Sequence, residues 1–384
     1  MTETDQVKPT QTGQAPHTSP ASEGSHERLA EAQAFVTHHR YTHIILSDSV
    51  DIEYLSGFRS SNVHCLVTAR KNILFSDFRY KEAALAFCKL SRTWKFSEIR
   101  ESDFSFFRTF IPKGSVAAYQ SDVLTVDQFA TLRKILPDVK LVKLHQSFAG
   151  VLQPKTEPEL QSLRQAAAIG DRAFDHVVRT VRAGMTEIDV ARIIENRCRT
   201  LGSEKPSFDT IVLFGRRAAL PHGQPSGVRL AAGDWVLCDF GCTVNGFCSD
   251  MTRTFVMGKA SSRQKRIYDI VLRAQESGKN AVAAGVKACD VDARCRSVIS
   301  KAGFGKQFGH ATGHGVGRRI HESPRISKND TTILRNKTVI TIEPGIYIPS
   351  FGGVRIEDMV IVRDVGCEVM THAPRTLIEA GGIR

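Results

Sequence analysis

Ala183–Val190 reads AGMTEIDV, and Ala284–Val291, 101 residues later, reads AGVKACDV. In both places a long helical pattern ends just before the stretch and a shorter one begins within it. Strand-rich sequence follows each helix pair, over residues 208–257 and 308–363. The repeat therefore predicts a pseudo-twofold domain of two helix-helix-sheet units, and the cleft between them is a natural place for a site.

Capping signals set the limits of these helices. Thr156-Glu-Pro-Glu159 is a capping box with proline in the first turn, and Thr186-Glu-Ile-Asp189 caps the next helix. We expect the first helix to run from the cap at Thr156 to Arg182 and the second from the cap at Thr186 to Leu201. The two helices of the second unit are expected over residues 262–284 and 290–302.

The chain before the repeat has a different pattern. Residues 1–26 carry almost no apolar side chains and are predicted to be a disordered tail. Helical and strand patterns alternate over residues 27–150, which predicts an α/β domain, and residues 151–384 form the α+β domain with the repeat. In the first domain we expect strands at 43–46, 65–69, 72–76, 115–119 and 139–144, and helices at 28–39, 80–89 and 125–136.

Composition excludes several classes of protein. The 384 residues are 24% charged and 41% hydrophobic, as in ordinary globular proteins. No apolar run approaches the roughly 18 residues of a membrane span, and the N-terminus lacks the basic-then-apolar start of a secretory signal. Nine cysteines without the spacing of a small secreted scaffold indicate reduced thiols, so we expect a cytoplasmic protein.

The net charge of +12 raises the question of nucleic-acid binding. The basic residues are dispersed, and the densest group, between Arg263 and Arg273, falls on a predicted helix. We interpret it as a solvated helix face and expect neither nucleic acid nor membrane as a partner.

A predicted hairpin carries two aspartates. Asn245-Gly246 between apolar runs is typical of a two-residue turn, and this turn pairs position 239 with position 252. Asp250 is then the diagonal neighbour of Asp239 on the same face. Two such aspartates either face water at strand ends or share a cation, and we favour the cation because adjacent carboxylates otherwise repel each other.

The second unit supplies two more acids and several histidines. Glu343 ends an apolar strand, Glu357 lies in the next, and His310, His314 and His321 precede them. Four carboxylates and one imidazole suit Mn²⁺, Co²⁺ or Zn²⁺, and bridging carboxylates suggest two ions about 3.5–4 Å apart.

Three cysteines, Cys238, Cys242 and Cys248, lie close together in the sequence. A structural zinc site needs a second pair of cysteines, which is missing, so we interpret these three as core or surface thiols.

From about residue 28 to its end, the chain resembles the M24 metallopeptidases of the pita-bread fold. The motifs that carry the resemblance are Ser207-Phe-Asp-Thr-Ile-Val212, Pro221-His-Gly223, Asp239-Phe-Gly241, Ser249-Asp-Met-Thr-Arg-Thr-Phe255, Gly313-His-Gly-Val-Gly317, His321-Glu-Ser-Pro324, Ile342-Glu-Pro-Gly-Ile-Tyr347 and Val354-Arg-Ile-Glu-Asp358. The resemblance implies a dinuclear site, most of all for Mn²⁺, with the ligands Asp239, Asp250, His314, Glu343 and Glu357. It places His222, His310, His321 and Arg355 around the ligands and the substrate.

The first domain indicates the branch of the family. Tyr54-Leu-Ser-Gly-Phe58 and Leu74-Phe-Ser-Asp-Phe-Arg-Tyr80 resemble the creatinase/prolidase N-terminal domain. This implies an Xaa-Pro aminopeptidase, or alternatively an Xaa-Pro dipeptidase (prolidase), and relatives of this kind are often homodimers. A non-catalytic pita-bread binding module is the remote alternative. The complete ligand set argues against it.

The resemblance also implies roles for single residues. We expect His321 or His222 to polarise the scissile carbonyl and Glu343 to take the proton of the attacking water. Arg325 is expected to bind the free carboxylate of a dipeptide. Two departures from the family pattern, Phe247 and the pair Arg318-Arg319, fall near the site.

Overall fold

The computed structural model describes residues 23–101, 103–144 and 153–381, and the chain forms two compact units, residues 1–148 and 149–384. Most of the tail predicted for residues 1–26, and the boundary predicted at 150/151, lie outside the described residues. The end of that tail was predicted wrongly, because helix α1 begins at Glu23. Ser25 and Leu29 are buried, and packing of this side extends the helix by one turn, since propagation costs little once a helix has formed.

The first unit is built on a six-stranded mixed sheet with the strand order β4-β3-β2-β1-β5-β6. Its strands are β1 (His43–Leu46), β2 (Val63–Val67), β3 (Asn72–Ser76), β4 (Trp94–Glu98), β5 (Val116–Gln120) and β6 (Lys140–Leu144). Its described helices are α1 (Glu23–His38), α2 (Ser49–Ser56), α3 (Lys81–Ser91) and α4 (Val126–Ile135). This confirms the predicted α/β pattern.

Two elements of this unit, α2 and β4, were not predicted. Helix α2 is short; the Asp48 side chain caps it and Gly57 ends it with a φ of 81°. Strand β4 lies at the sheet edge, and Trp94 is its single buried residue. Both lack the long apolar periodicity on which sequence patterns depend.

The helices of the second unit confirm the repeat. They are α5 (Glu157–Thr180), α6 (Glu187–Thr200), α7 (Ser262–Asn280) and α8 (Ala288–Lys301). Gly184 and Gly285 stand at the two joints with φ angles of 89° and 88°. Their backbone N–H groups donate to Leu230 and Leu334, both at 2.8 Å. The two matching octapeptides therefore form the same structure, although α7 ends four residues before the predicted position 284.

Each half of the repeat ends in a sheet, with the strand orders β19-β11-β8-β7 and β13-β12-β14-β17-β18, and two short ribbons, β9-β10 and β15-β16, flank them. The strands of the first half are β7 (Ile211–Phe214), β8 (Trp235–Phe240), β9 (Thr243–Val244), β10 (Phe247–Cys248) and β11 (Met251–Met257). Those that follow are β12 (Gly313–Gly315), β13 (Glu322–Ile326), β14 (Val339–Ile342), β15 (Gly345–Ile348), β16 (Gly352–Arg355), β17 (Asp358–Val362), β18 (Cys367–Val369) and β19 (Glu379–Ala380).

The predicted hairpin register is confirmed. Asp239 pairs with Thr252, and Asn245 and Gly246 have φ angles of 50° and 75°, as a type I′ turn requires. Asp250 and Glu357, expected within strands, lie instead immediately before β11 and β17. At both points the chain passes from a two-stranded ribbon into the next sheet, from β10 to β11 and from β16 to β17. The acid lies between the two strands, outside the regular strand pairing.

A buried ion pair joins the two halves beside these acids. Arg253 on β11 donates to the Asp358 carboxylate on β17 at 2.6 Å, and both side chains are fully buried. The N–H of Glu357 donates to the carbonyl oxygen of Thr252 at 3.1 Å. Glu357, the acid immediately before β17, is thereby fixed against β11. Within the described part of the chain, no helix has the length and apolarity needed to cross a membrane.

Candidate active site

The acids of both halves converge on one imidazole. Nε2 of His314 lies 3.5 Å from the carboxylates of Asp250 and Glu343. The ligand atoms of Asp250, His314 and Glu357 all lie within 4.8 Å of one another. Four of the five sequence-predicted ligands thus form one cluster, to which the first half contributes Asp250 and the second half His314, Glu343 and Glu357.

The backbone around His314 orients its ring. Its Nδ1 donates to the carbonyl oxygen of Gly315 at 3.0 Å, so Nε2 faces the acids. The backbone N–H of His314 donates to Oγ1 of Thr341 at 3.1 Å. A Cβ at Gly313 or Gly315 would lie 2.0–2.3 Å from backbone oxygens of neighbouring strands, so glycine is required on both sides of this histidine.

The fifth predicted ligand, Asp239, is held by Arg355. Nη2 of Arg355 donates to Oδ2 of Asp239 at 2.5 Å, and its Nε donates to Oγ1 of Thr252 at 2.9 Å. Thr252 in turn donates to Oε2 of Glu357 at 2.7 Å. One network therefore links acids from both halves, and Thr252, which the sequence analysis did not single out, is its connecting residue.

Burial and mutual repulsion leave these acids strongly perturbed. Burial, together with the negative charges of Asp239 and Glu343, raises the pKa of Asp250 to about 7 against the opposing effect of His314. Burial also raises the pKa values of Glu343 and Glu357. Burial alone would lower the pKa of His314, but Asp250 and Glu343 outweigh it and raise that pKa to about 9.

A chain of polar contacts leads from the acids to His310. Nη1 of Arg355 donates to the Tyr347 hydroxyl at 2.7 Å, and this hydroxyl donates to Nε2 of His310 at 2.9 Å. Nδ1 of His310 donates to the carbonyl oxygen of Ala311 at 2.7 Å. Burial, followed by the charge of Arg355, lowers the pKa of His310 to about 4. Sequence patterns assign no role to Tyr347; a tyrosine within an otherwise apolar strand is the signal that points to it.

Three further predicted residues, His222, His321 and Arg325, lie at exposed positions. The His321 ring lies 4.4 Å from the His314 ring, centroid to centroid. Burial, and then the charges of His314 and His222, lower the pKa of His321, so His222 lies within electrostatic range of this imidazole. Arg325 is paired with His314 across β12 and β13, and paired positions share one face of a sheet. His321 and Arg325 therefore both lie beside the ligand His314.

The two departures from the family pattern contact each other. The Arg318 guanidinium lies over the Phe247 ring, 5.2 Å from its centroid, an arrangement that a cation–π interaction favours. The N–H of Arg319 donates to the carboxylate of Glu322 at 3.2 Å. Both arginines therefore support the loop before His321.

The chemistry of this site fits divalent metal ions. Oδ1 of Asp239 is buried, and among the described residues it has no hydrogen-bond partner. Several carboxylates with raised pKa values surround a single imidazole, a costly arrangement in the absence of a cation. Oxygen ligands with one imidazole suit hard or borderline divalent ions. The free thiols of Cys238, Cys242 and Cys248 are buried, so of the two predicted alternatives, core or surface, they are core residues.

Comparison with known proteins agrees with this geometry. The model of metallopeptidase family M24 matches residues 161–364, and that of the creatinase/prolidase N-terminal domain matches residues 28–151. An Xaa-Pro dipeptidase from Pyrococcus furiosus is 33% identical over 92% of this chain and 99% of its own length.

Solved structures show the same similarity. An Xaa-Pro dipeptidase from Bacillus anthracis superposes with a TM-score of 0.86 at 33% identity, over 92% of this chain and 99% of that one. An X-Pro aminopeptidase from Thermotoga maritima gives a TM-score of 0.80 at 31% identity, over 89% and 98%. With a pita-bread catalytic unit after a creatinase/prolidase-type domain, this chain belongs to metallopeptidase family M24.

Proposed function

We propose that this protein hydrolyses the peptide bond between an N-terminal residue and a following proline. The observation that carries the proposal is the convergence of Asp250, His314, Glu343 and Glu357 on one point, with Asp239 linked to it through Arg355. Relatives named Xaa-Pro dipeptidase and X-Pro aminopeptidase support the choice of substrate. The substrates are therefore peptides with proline in the second position.

Two divalent ions would be held by Asp239, Asp250, His314, Glu343 and Glu357. When bound, they would supply an activated water and a Lewis acid for the scissile carbonyl. We propose Mn²⁺ as the physiological ion, with Co²⁺ or Zn²⁺ as alternatives, because four oxygen ligands accompany one nitrogen.

Side chains of the protein would carry out the proton transfer and stabilise the carbonyl oxygen. Glu343, which accepts a hydrogen bond from Thr341 at 3.4 Å, would take the proton of the attacking water. His222 and His321 would donate hydrogen bonds to the carbonyl oxygen as negative charge develops there. The carbon–nitrogen bond then breaks, and the proline nitrogen receives the proton.

Arg325 would determine how strongly a dipeptide is preferred. A dipeptide places a free carboxylate on its proline, and Arg325 lies directly across the sheet from His314, where its guanidinium can bind a carboxylate in a bidentate manner. We propose that the enzyme cleaves longer Xaa-Pro peptides as an aminopeptidase and Xaa-Pro dipeptides as well.

The test compares Ala-Pro, its C-terminal amide and a tripeptide beginning with Ala-Pro. We expect hydrolysis of all three, a higher KM for the amide in the parent enzyme, and a much smaller amide effect in Arg325→Ala. Arg335→Ala, an exposed arginine of the same half, serves as the control. Equal amide sensitivity in parent and Arg325→Ala would remove Arg325 from the site. An intact tripeptide would make the enzyme a strict dipeptidase.

We further propose a cytoplasmic location and a homodimer. All nine cysteines are free thiols, which suits a reducing compartment. The oligomeric state rests on the family alone, and sedimentation of the purified protein measures it directly.

A further inference from the structure

Glu187, at the start of α6, is a fully buried carboxylate outside the acid cluster. Its Oε1 accepts the backbone N–H of Phe214 at 2.8 Å and Nε of Arg217 at 3.0 Å. Its Oε2 accepts the N–H of Ser226 at 2.8 Å and the hydroxyl of Ser226 at 2.6 Å. A buried carboxylate is stable only when its oxygens are satisfied in this way.

These contacts close a loop at both of its ends. Phe214 is the last residue of β7, and Ser226 lies twelve positions later. The chain between them contains Pro221-His222-Gly223. Arg217, which is bound to Glu187, also donates to the carbonyl oxygen of Gln224 at 2.7 Å. The loop that carries His222 is thus fastened before and after the histidine to one side chain.

The middle of this loop is tied to the acid cluster. Nη1 of Arg355 donates to the carbonyl oxygen of Pro221 at 3.4 Å, and the same guanidinium binds Asp239. The residue before His222 is therefore placed relative to a predicted metal ligand. A shift at either end of the loop would change the position of His222 relative to the acid cluster.

The other half of the repeat lacks this carboxylate. Ala288 occupies the position that matches Glu187, and it is buried in the hydrophobic core. The corresponding loop, which carries His321, is held by the pairing of β13 with β12 and by a buried ion pair between Lys155 and Glu322 at 2.7 Å. The repeat folds with alanine here, so the fold alone does not require an acid at this position.

We propose that Glu187 is a positioning residue, which fixes the 215–226 loop so that His222 meets the scissile carbonyl. This inference rests on the proposed function, because it assumes that His222 acts on the substrate. Small displacements of a group that acts on the transition state reduce turnover strongly, by as much as about 10²-fold for 1 Å. Substrate binding elsewhere in the cleft is left unchanged.

The experiment measures loop order and turnover separately. Glu187→Gln keeps the shape but presents an amide N–H₂ to the donors of the loop. Ser226→Ala is the milder variant, since it removes a single hydroxyl and keeps the backbone N–H. Glu195→Gln, two turns further along α6, is the matched control. Each variant is assayed on Ala-Pro with its metal content, and hydrogen exchange of the 214–228 segment is followed.

We expect faster exchange in this segment and a fall in kcat of about tenfold or more in Glu187→Gln, a smaller effect in Ser226→Ala and none in Glu195→Gln. Metal content and KM should stay near those of the parent enzyme. In a His222→Ala background, Glu187→Gln should cause no further loss of kcat, because the loop then positions nothing.

Three results would overturn the inference. The first is unchanged exchange in both loop variants. The second is a full additional loss of kcat in the His222→Ala background, which would show that Glu187 acts through the general stability of the fold. The third is full activity of His222→Ala itself, which would refute the role of His222 while the parent enzyme still cleaves Ala-Pro. Failure of the parent enzyme to cleave Ala-Pro would instead refute the proposed function.

Discussion

The two halves of the catalytic unit share a backbone plan but carry different chemistry. In the first half, β7 pairs with the long strand β8, and the four residues of β7 are all apolar and buried. In the second half the equivalent strand is β12, which is Gly-His-Gly and presents His314 to the acids. The fold thus needs only a short strand at this position, and the second half uses that strand to supply the one imidazole of the cluster.

The loops that follow these strands differ in the same way. The loop of the first half connects β7 to β8 and carries His222, whereas the loop of the second half connects β12 to β13 and carries His321. The second loop is stabilised by strand pairing, whereas the first is bound to Glu187. Repetition therefore specifies the framework, and individual polar residues in each half specify the chemistry.

The largest expected effect comes from removing one acid from each half. Asp250→Asn and Glu357→Gln should each lose metal and reduce turnover by more than the roughly 10²–10³-fold that losing one transition-state donor costs, because both halves share one site. Metal analysis and Ala-Pro hydrolysis measure this, with the exposed Asp364→Asn as control. If one of the two variants keeps metal and activity, the substituted acid is not a metal ligand.

The next effect concerns the ion pair that joins the halves. Asp358→Ala leaves the fully buried Arg253 without its carboxylate, which should lower the free energy of unfolding by about 3–5 kcal/mol. Urea unfolding of the catalytic unit measures the change. Asp364→Ala should stay within about 0.5 kcal/mol of the parent, and a similarly small change for Asp358→Ala would mean that the halves do not depend on this pair.

The histidine loops should respond alike despite their different supports. His222→Ala and His321→Ala should keep their metal and lose turnover by roughly 10²–10³-fold, since each removes a donor to the developing oxyanion. Steady-state kinetics and metal stoichiometry are measured on the same preparations. Loss of metal in either variant would mean that this histidine is a ligand, and the two loops would then have different roles.

The smallest effect tests the symmetry of the framework. Gly184→Ala and Gly285→Ala place a side chain at a φ near 89° with nothing within 4 Å of the new Cβ, so each should cost about 1–2 kcal/mol of stability from backbone strain alone. Gly227→Ala, with equally open space and no positive φ, should cost nothing. Clearly unequal costs for the two joints would contradict their structural equivalence.

Sequence patterns predicted the framework because it depends on local signals. The caps at Thr156 and Thr186 and the turn at Asn245-Gly246 all act within a few residues, and the hairpin register followed directly from that turn. Signals that depend on distant packing were missed. The start of α1 at Glu23 rests on burial of one helix face, and the breaks before Asp250 and Glu357 depend on how strands pass between sheets.

The site residues divide in the same manner. The acids and histidines stood out because charged or Gly-flanked residues are unusual beside apolar strands. Thr252, Tyr347 and Glu187 did not, because threonine and tyrosine are common in strands and glutamate is common in the first turn of a helix. Their roles depend on partners more than 25 positions away in the sequence, which a single sequence does not reveal.

The most direct test of the account is a metal titration of the chelated parent enzyme, in which bound Mn²⁺ and Ala-Pro hydrolysis are measured together. If acids from both halves form one dinuclear site, the metal-free protein is inactive, and activity returns as the bound metal approaches two ions per chain. Full hydrolysis by protein shown to contain no metal would contradict the account.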